Sequence, residues 1–304
     1  MRAVTYDAYA SDNSRLWVGE VPDPKVGPGQ VLIEVRAAGV NPVDWKLMAG
    51  GLDGMMDVWF PVIPGWDVAG VVRATGPDTP EFAVGDEVLS YARKDVVHGG
   101  TFAELVAVNA ASVAKKPASL DWNQAAGVPL AGLTAQRSLD RLDVGPDDVL
   151  LVHNASGGVG SFAVQIARHR GARVIGTASE RNHDYLSELG AEPIAYGDGV
   201  VERIKQAAPD GVTAVADFVG GQLETTLAVL AQGGRHVSIA DPTVEQKAAS
   251  GHWIWVRPDG AKLAGLVELP LKVEVAGTFT LEKAGEAFDA SREGHTRGKL
   301  IITP

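Results

Sequence analysis

One stretch in the middle of the chain constrains its fold more than any other. Asp148-Val149-Leu150-Leu151-Val152-His153 is a mostly apolar run, and Asn154-Ala155-Ser156-Gly157-Gly158-Val159-Gly160 turns it through small residues. Beyond the turn, apolar side chains recur at Val159, Phe162, Ala163, Ile166 and Ala167, the spacing of one helix face. Gly171 supplies a helix stop, and residues 173–177 read as the next strand. Strand, Gly-rich turn, helix and strand in that order open a dinucleotide-binding unit. Gly157 lets the backbone approach a pyrophosphate where a Cβ would intrude, and Gly160 lets the helix pack close to its strand. The helix begins at about Val159, so its free N–H groups and positive dipole end face the bound phosphates. Ala155 stands where the full pattern has its first glycine, giving AxGxxG. The candidate phosphate-binding residues are therefore Ala155, Ser156, Gly157, Gly158, Val159 and Gly160. A tight turn that binds nothing would suit an isolated match better than one flanked by both strands and the helix.

On either side of this unit the texture differs. Residues 15–21, 30–38, 67–74, 87–91 and 101–108 are short Val-rich runs separated by turn clusters such as Pro22-Asp23-Pro24 and Gly27-Pro28-Gly29, the spacing of a small, partly open barrel. Asp121-Trp122-Asn123-Gln124 has the form of a capping box, and residues 125–142 read as helix interrupted near Gly132. From Val149 to about Ala240 strands and helices alternate, which implies a doubly wound parallel sheet. The expected strands are 149–153, 173–177, 194–196, 212–218 and 235–240, with a further one at Trp253-Ile254-Trp255-Val256. The tail reads as strand 271–275, helix 281–291 and strand 299–303. No internal repeat is visible.

With 27 Lys plus Arg against 38 Asp plus Glu, the chain carries a net charge of −11, which disfavours nucleic acid and anionic lipid and favours a small-molecule partner. The longest basic run is Lys115-Lys116. There is no cysteine, hence no disulfide and no thiolate ligand. The opening residues turn polar too soon for a signal peptide, and a cytoplasmic location is the expectation.

Several further markers carry a family resemblance: Ala38-Gly39-Val40-Asn41-Pro42-Val43-Asp44-Trp45-Lys46, Pro64-Gly65-Trp66-Asp67-Val68-Ala69-Gly70, Val84-Gly85-Asp86-Glu87-Val88, Gly100-Thr101-Phe102-Ala103-Glu104, Ala131-Gly132-Leu133-Thr134-Ala135, Gly190-Ala191 and Arg297-Gly298-Lys299-Leu300. In order and spacing, with the AxGxxG turn, the chain resembles the zinc-independent, quinone-oxidoreductase-like medium-chain dehydrogenases/reductases over nearly its whole length. The resemblance implies a GroES-like β-barrel catalytic domain built from both chain ends (1–119 and 266–304) and an inserted Rossmann cofactor domain (120–265). Metal-using relatives hold zinc where this chain has Asn41, Trp66 and Leu130. The seven histidines are scattered without ligand spacing, so no metal is expected.

A site for NAD usually ends its second strand with an acid for the ribose 2′-hydroxyl. Here the strand runs into Thr177-Ala178-Ser179, and Glu180 belongs to the next helix. Ser179 as N-cap, with Arg181 and Asn182 in the first turn, suits a 2′-phosphate and predicts NADPH; the alternative is a plain cap beside a solvated arginine. By resemblance, Tyr196 packs over the adenosine, Thr134 lies near the nicotinamide phosphate, and Val219, Ile239 and Ile254 touch the nicotinamide mainly through backbone.

The reaction implied is hydride transfer to a quinone or an α,β-unsaturated carbonyl, whose developing oxyanion needs hydrogen-bond donors. Asn41 is the candidate for positioning substrate or cofactor, and Asp44 is equally a catalytic acid or a turn acid. Lys46 is a candidate enolate donor against an exposed lysine, and Tyr91 with His98 is a candidate entrance lining against a plain surface loop. Rival readings are an enoyl-thioester reductase and a non-catalytic NADPH-binding redox sensor; an RNA-binding role is disfavoured by the charge. Edge-strand pairing through residues 253–256 predicts a homodimer.

Overall fold

The computed structural model describes residues 1–248 and 250–304. Its contacts divide the chain into two compact units, Met1–Leu133 with Arg257–Pro304 and Thr134–Val256. In chain order, the first part of the barrel unit is β1 (Arg2–Thr5), β2 (Trp17–Glu20), β3 (Gln30–Val40), α1 (Pro42–Met48), β4 (Val58–Ile63), β5 (Asp67–Thr75), β6 (Glu87–Tyr91), β7 (Val97–Gly99), β8 (Leu105–Asn109) and β9 (Val113–Lys115). Helices α2 (Trp122–Gly127) and α3 (Pro129–Arg141) lead into the second unit. That unit holds β10 (Val149–His153), α4 (Gly160–His169), β11 (Arg173–Ala178), α5 (His183–Glu188), β12 (Glu192–Ala195), α6 (Val200–Ala207), β13 (Val212–Asp217), α7 (Leu223–Val229), β14 (Leu230–Ser238), α8 (Val244–Lys247) and β15 (Gly251–Trp253). The barrel unit resumes with α9 (Gly260–Val267), β16 (Val275–Thr280), α10 (Ala284–Glu293) and β17 (Lys299–Thr303).

In the barrel unit a seven-stranded sheet runs β16-β17-β3-β5-β6-β9, with β8 also on β3. The long strand β3 is its spine: it pairs antiparallel with β5, β8 and the C-terminal β17, so both chain ends build one sheet, as a GroES-like fold requires. The Val-rich runs supply inward side chains on alternate residues; Val31, Ile33 and Val35 along β3 are buried.

In the second unit six parallel strands are ordered β12-β11-β10-β13-β14-β15. Helices cover such a sheet on both faces, which explains the continuous apolar run Val149–Val152. Leu151, Ile175, Ile194, Ile204, Val212, Val215 and Val229 form one buried cluster. Full burial stabilises each such side chain by about 1.5–3 kcal/mol.

Asp121 caps α2 as anticipated: its carboxylate accepts the Gln124 N–H at 2.8 Å, and the Gln124 amide oxygen accepts the Asp121 N–H at 3.1 Å. The helical break falls at Val128–Pro129 and not at Gly132, because Pro129 has no N–H to continue the ladder. Gly132 sits inside α3, where an added Cβ would lie 2.6 Å from Leu266 Cδ2. The tail strand is β16 (Val275–Thr280), later than the expected 271–275, since its register is set by pairing with β17. The strand expected at 253–256 is β15 (Gly251–Trp253), which ends at Trp253 and leaves Ile254, Trp255 and Val256 outside it.

Candidate active site

In the dinucleotide-type unit, β10 lies between β11 and β13, where the strand order reverses direction. Ligands of open α/β sheets bind outside the carboxyl ends of the strands at such a point. The Gly-rich turn starts there. Asn154 takes a left-handed conformation (φ 58), and the Ala155 N–H donates to the Thr177 carbonyl at 3.0 Å, fastening the turn to the end of β11. A Cβ on Gly160 would lie 2.2 Å from the Asn154 carbonyl oxygen, so helix and strand meet at backbone distance there. The atoms nearest to a Cβ on Gly157 would be those of the Asn154 side-chain amide. Helix α4 starts at Gly160, and no side chain caps it, so its positive end is turned to whatever lies in the crevice.

The end of β11 carries no carboxylate, and Glu180 and Arg181 are exposed in the short helical turn that follows. Ser179 holds the N-cap position but does not cap through its hydroxyl. Its Oγ accepts from Asn182 Nδ2 (3.2 Å), which also lies 3.1 Å from Ser156 Oγ. Asn182 is buried, contrary to an outward-facing phosphate ligand: its amide ties the second strand to the Gly-rich turn. Tyr196 is exposed just beyond β12, and Thr134 is buried in α3. Val219, Ile239 and Ile254 follow the carboxyl ends of β13, β14 and β15, the same sheet edge as the turn. Asp217 closes β13 structurally, accepting the Val219 and Gly220 N–H groups at 3.0 and 2.9 Å and the Ser238 hydroxyl at 2.9 Å. Beside it, burial lowers the His153 pKa to about 4, so this imidazole is neutral.

In the barrel unit, β3 runs into α1 through Asn41. The Asn41 N–H donates to Asp44 Oδ2 at 2.8 Å, fixing the start of the helix. Asn41 itself is only 2 % exposed. Its amide nitrogen donates to Asp67 Oδ2 (2.9 Å) and more weakly to the Gly39 carbonyl (3.4 Å), while its amide oxygen accepts from Lys299 Nζ. Lys299 also donates to the Val40 carbonyl at 3.2 Å and stands 3.9 Å from Asp67. Asp67 Oδ1 accepts the Leu130 N–H at 2.8 Å. The Asn41 amide is thus engaged inside the protein, and its leverage on a ligand is through the backbone and helix it anchors.

Burial dominates the electrostatics here. It pushes the Asp44 carboxyl up to about 8 and that of Asp67 up to about 6, and pulls the Lys299 ammonium down. Asp44 is therefore held more strongly toward its protonated form than Asp67, which has Lys299 Nζ 3.9 Å away. Asp44 Oδ1 has no hydrogen-bond partner. Tyr91 is the last residue of β6, in register with Asp67, and its ring is buried edge-on to Trp66 (6.1 Å between centroids). It belongs to the core and not to an entrance; only His98 of that expected pair is exposed. Lys46 is exposed, its ammonium 5.4 Å from the Trp45 ring centroid and outside the Asn41 network. Lys299 and Asp67 were visible in the sequence only as parts of the markers that carry the family resemblance; the one hint of their role is a charge set into an apolar strand.

Residues 27–118 match the alcohol dehydrogenase GroES-like domain family and residues 158–256 the zinc-binding dehydrogenase family. The chain is 33% identical over 326 residues to quinone-oxidoreductase QR1, chloroplastic, of Triphysaria versicolor, covering 100% of this chain and 98% of that protein. It is 31% identical over 317 residues to the NADPH-dependent alkenal/one oxidoreductase, chloroplastic, of Arabidopsis thaliana, covering 100% of this chain and 80% of that protein. The structure of the quinone oxidoreductase from Coxiella burnetii superposes with a TM-score of 0.89 at 32% identity, over 100% of this chain and 99% of that one. The second family's description names zinc, yet this chain has no cysteine, and among the described residues no three His, Asp or Glu side chains are grouped to hold a metal. The chain belongs to the medium-chain dehydrogenase/reductase superfamily, among its quinone-oxidoreductase-like, zinc-independent members.

Proposed function

We propose that this protein is an NADPH-dependent reductase that transfers hydride to quinones or α,β-unsaturated carbonyls without a metal. The observation that carries the reading is the uncapped, Gly-rich turn at the switch point, followed by a second strand with no acid at its tip. In this reading residues 155–160 hold the pyrophosphate, and Ser179 and Arg181 hold the 2′-phosphate. Asn182 acts through the hydroxyls of Ser156 and Ser179, to which its amide is bonded. Tyr196 covers the adenosine, while Thr134, Val219, Ile239 and Ile254 line the nicotinamide end. The bound cofactor supplies the hydride.

In the barrel unit, the Asn41–Asp67–Lys299 network fixes the start of α1. Asp44 is kept neutral, and Lys46 is the exposed cation nearest in sequence for an enolate. A proton from solvent or a ribose hydroxyl completes the reduction. An activated acceptor fits such a site better than a saturated alcohol, whose oxidation needs a strong base or Lewis acid near neutral pH. Two copies pair through the edge strand β15, and light scattering reads this as a mass near twice the chain's 31.8 kDa. The test of function is loss of NADPH absorbance against a panel of quinones and enones. Tight NADPH binding with no turnover of any acceptor would replace this reading with that of a redox sensor.

A further inference from the structure

The fold leaves the charge of Arg93 unanswered. This residue lies just past the end of β6, on the way to β7, and is half-buried. Its Nε is buried without a hydrogen-bond partner, and its guanidinium forms no ion pair among the described residues. A buried N–H of a charged group without a partner calls for an explanation, and a bound ion is one of the few on offer.

The surroundings of Arg93 favour an anion. It lines a cavity of about 350 Å³ whose wall belongs entirely to the barrel unit. That size is at the lower end of the roughly 300–1,000 Å³ of small-molecule pockets. Two amide side chains of the wall, Gln30 and Asn109, stand opposite each other as Cα partners on β3 and β8. Both have their oxygens taken by the backbone. Gln30 Oε1 accepts the Gly27 N–H at 2.8 Å, and Asn109 Oδ1 accepts the Ala111 N–H at 2.9 Å. Their NH2 groups, which can only donate, have no partner among the described residues. Lys94 adds an ammonium, held by its hydrogen bond to the Gly99 carbonyl at 2.7 Å. Burial lowers the Lys94 pKa, an effect that an anion beside it would offset.

The same wall sets the charge and kind of the anion. Arg93 and Lys94 face one carboxylate, Asp95, so the lining carries a formal charge of +1 and suits a single negative charge. The planar guanidinium fork matches the two oxygens of a carboxylate. Ala111 and Pro258, exposed and half-buried in the wall, give an organic body apolar atoms to lie against. We propose that this cavity binds a small organic monocarboxylate, held by the Arg93 guanidinium and the amide nitrogens of Gln30 and Asn109. None of these side chains takes part in the proposed reduction, so a carboxylate site here holds whether or not that reading does.

The test is isothermal titration calorimetry of the full chain with sodium benzoate at fixed ionic strength, with benzamide and inorganic phosphate for comparison. Benzoate should bind at least about tenfold more tightly than benzamide, and Arg93→Met should weaken it by about tenfold or more. Asn109→Asp keeps the oxygen that accepts from Ala111 and turns the donor into a negative charge. It too should weaken benzoate about tenfold, and at this exposed position it decides the matter should Arg93→Met fail to fold in thermal melts. No heat of binding with benzoate, equal affinity for benzamide, or a benzoate affinity unchanged in the variants overturns the inference. Inorganic phosphate bound more tightly than benzoate, with the same loss in the variants, overturns the carboxylate and assigns the cavity to a phosphate.

Discussion

The two glycines of the mid-chain turn should separate stability from nucleotide binding. In Gly160→Ala the new methyl would lie 2.2 Å from the Asn154 carbonyl oxygen and 2.7 and 2.9 Å from Ala155 Cα and C, all of them backbone atoms. Strand end and helix start must therefore part by roughly 1 Å. Overpacking of this kind costs about 1–3 kcal/mol, and the gain in helix propensity is small at the first residue of α4. A cost of about 2 kcal/mol lowers the Tm of a unit this size by roughly 5–10 °C. The same displacement moves the helix N-terminus from its place against the phosphates. Losing one or two charge-assisted hydrogen bonds of about 1.5–3 kcal/mol each weakens NADPH binding by at least about tenfold. In Gly157→Ala the methyl's nearest neighbours are the atoms of the exposed Asn154 amide, 2.7 Å away at the closest, and that side chain can rotate aside. Stability should change by less than about 0.5 kcal/mol, while the methyl stands on the face a pyrophosphate must approach. Circular-dichroism melts and fluorescence titration with NADPH read both effects. A Gly160→Ala protein as stable as the parent, or a Gly157→Ala protein that binds NADPH undiminished, would refute the geometric argument.

Three other expectations follow from named groups. Lys299→Met strands the buried Asp67 carboxylate and should destabilise the barrel unit by about 3–5 kcal/mol, with Lys299→Met/Asp67→Asn recovering much of it; strictly additive losses in a urea double-mutant cycle would contradict the pairing. His153 is held neutral in the fold down to a pKa of about 4, while the unfolded chain binds its proton below about 6.5. The unfolded state therefore takes up more protons as pH falls. Stability on the order of 3 kcal/mol, fully present above about pH 6.5, is lost between there and about pH 4; His153→Gln should lose less over the same range in urea melts. Arg181→Ala should weaken NADPH binding about tenfold and leave NADH unchanged, and an equal loss for both cofactors would take the 2′-phosphate role away from this residue.

Much of the architecture was legible in the sequence because it is written in local patterns. Strands β6 and β17 have the bounds their apolar runs suggest, the Asp121 capping box starts α2, and the order strand, turn, helix, strand defines the nucleotide-type unit. The phosphate-binding turn belongs to this local code: its glycines are needed where backbone meets backbone within a few residues. What sequence alone left open depended on partners distant in the chain. Strand β16 lies where β17 pairs with it, and Gly132 stays in a helix because Leu266 fills the space beside it. Tyr91 is drawn into the core by its register with Asp67, and Asn182 is buried under Ser156. The barrel unit's ion pair was the least legible feature of all. A lysine at 299 and an aspartate at 67 are only positions in two separate sequence markers until the fold brings them within 3.9 Å in a dry interior. Only tertiary structure removes water from a charge, and that removal decides whether a carboxyl is a solvated anion, one half of an ion pair like Asp67, or a neutral acid like Asp44.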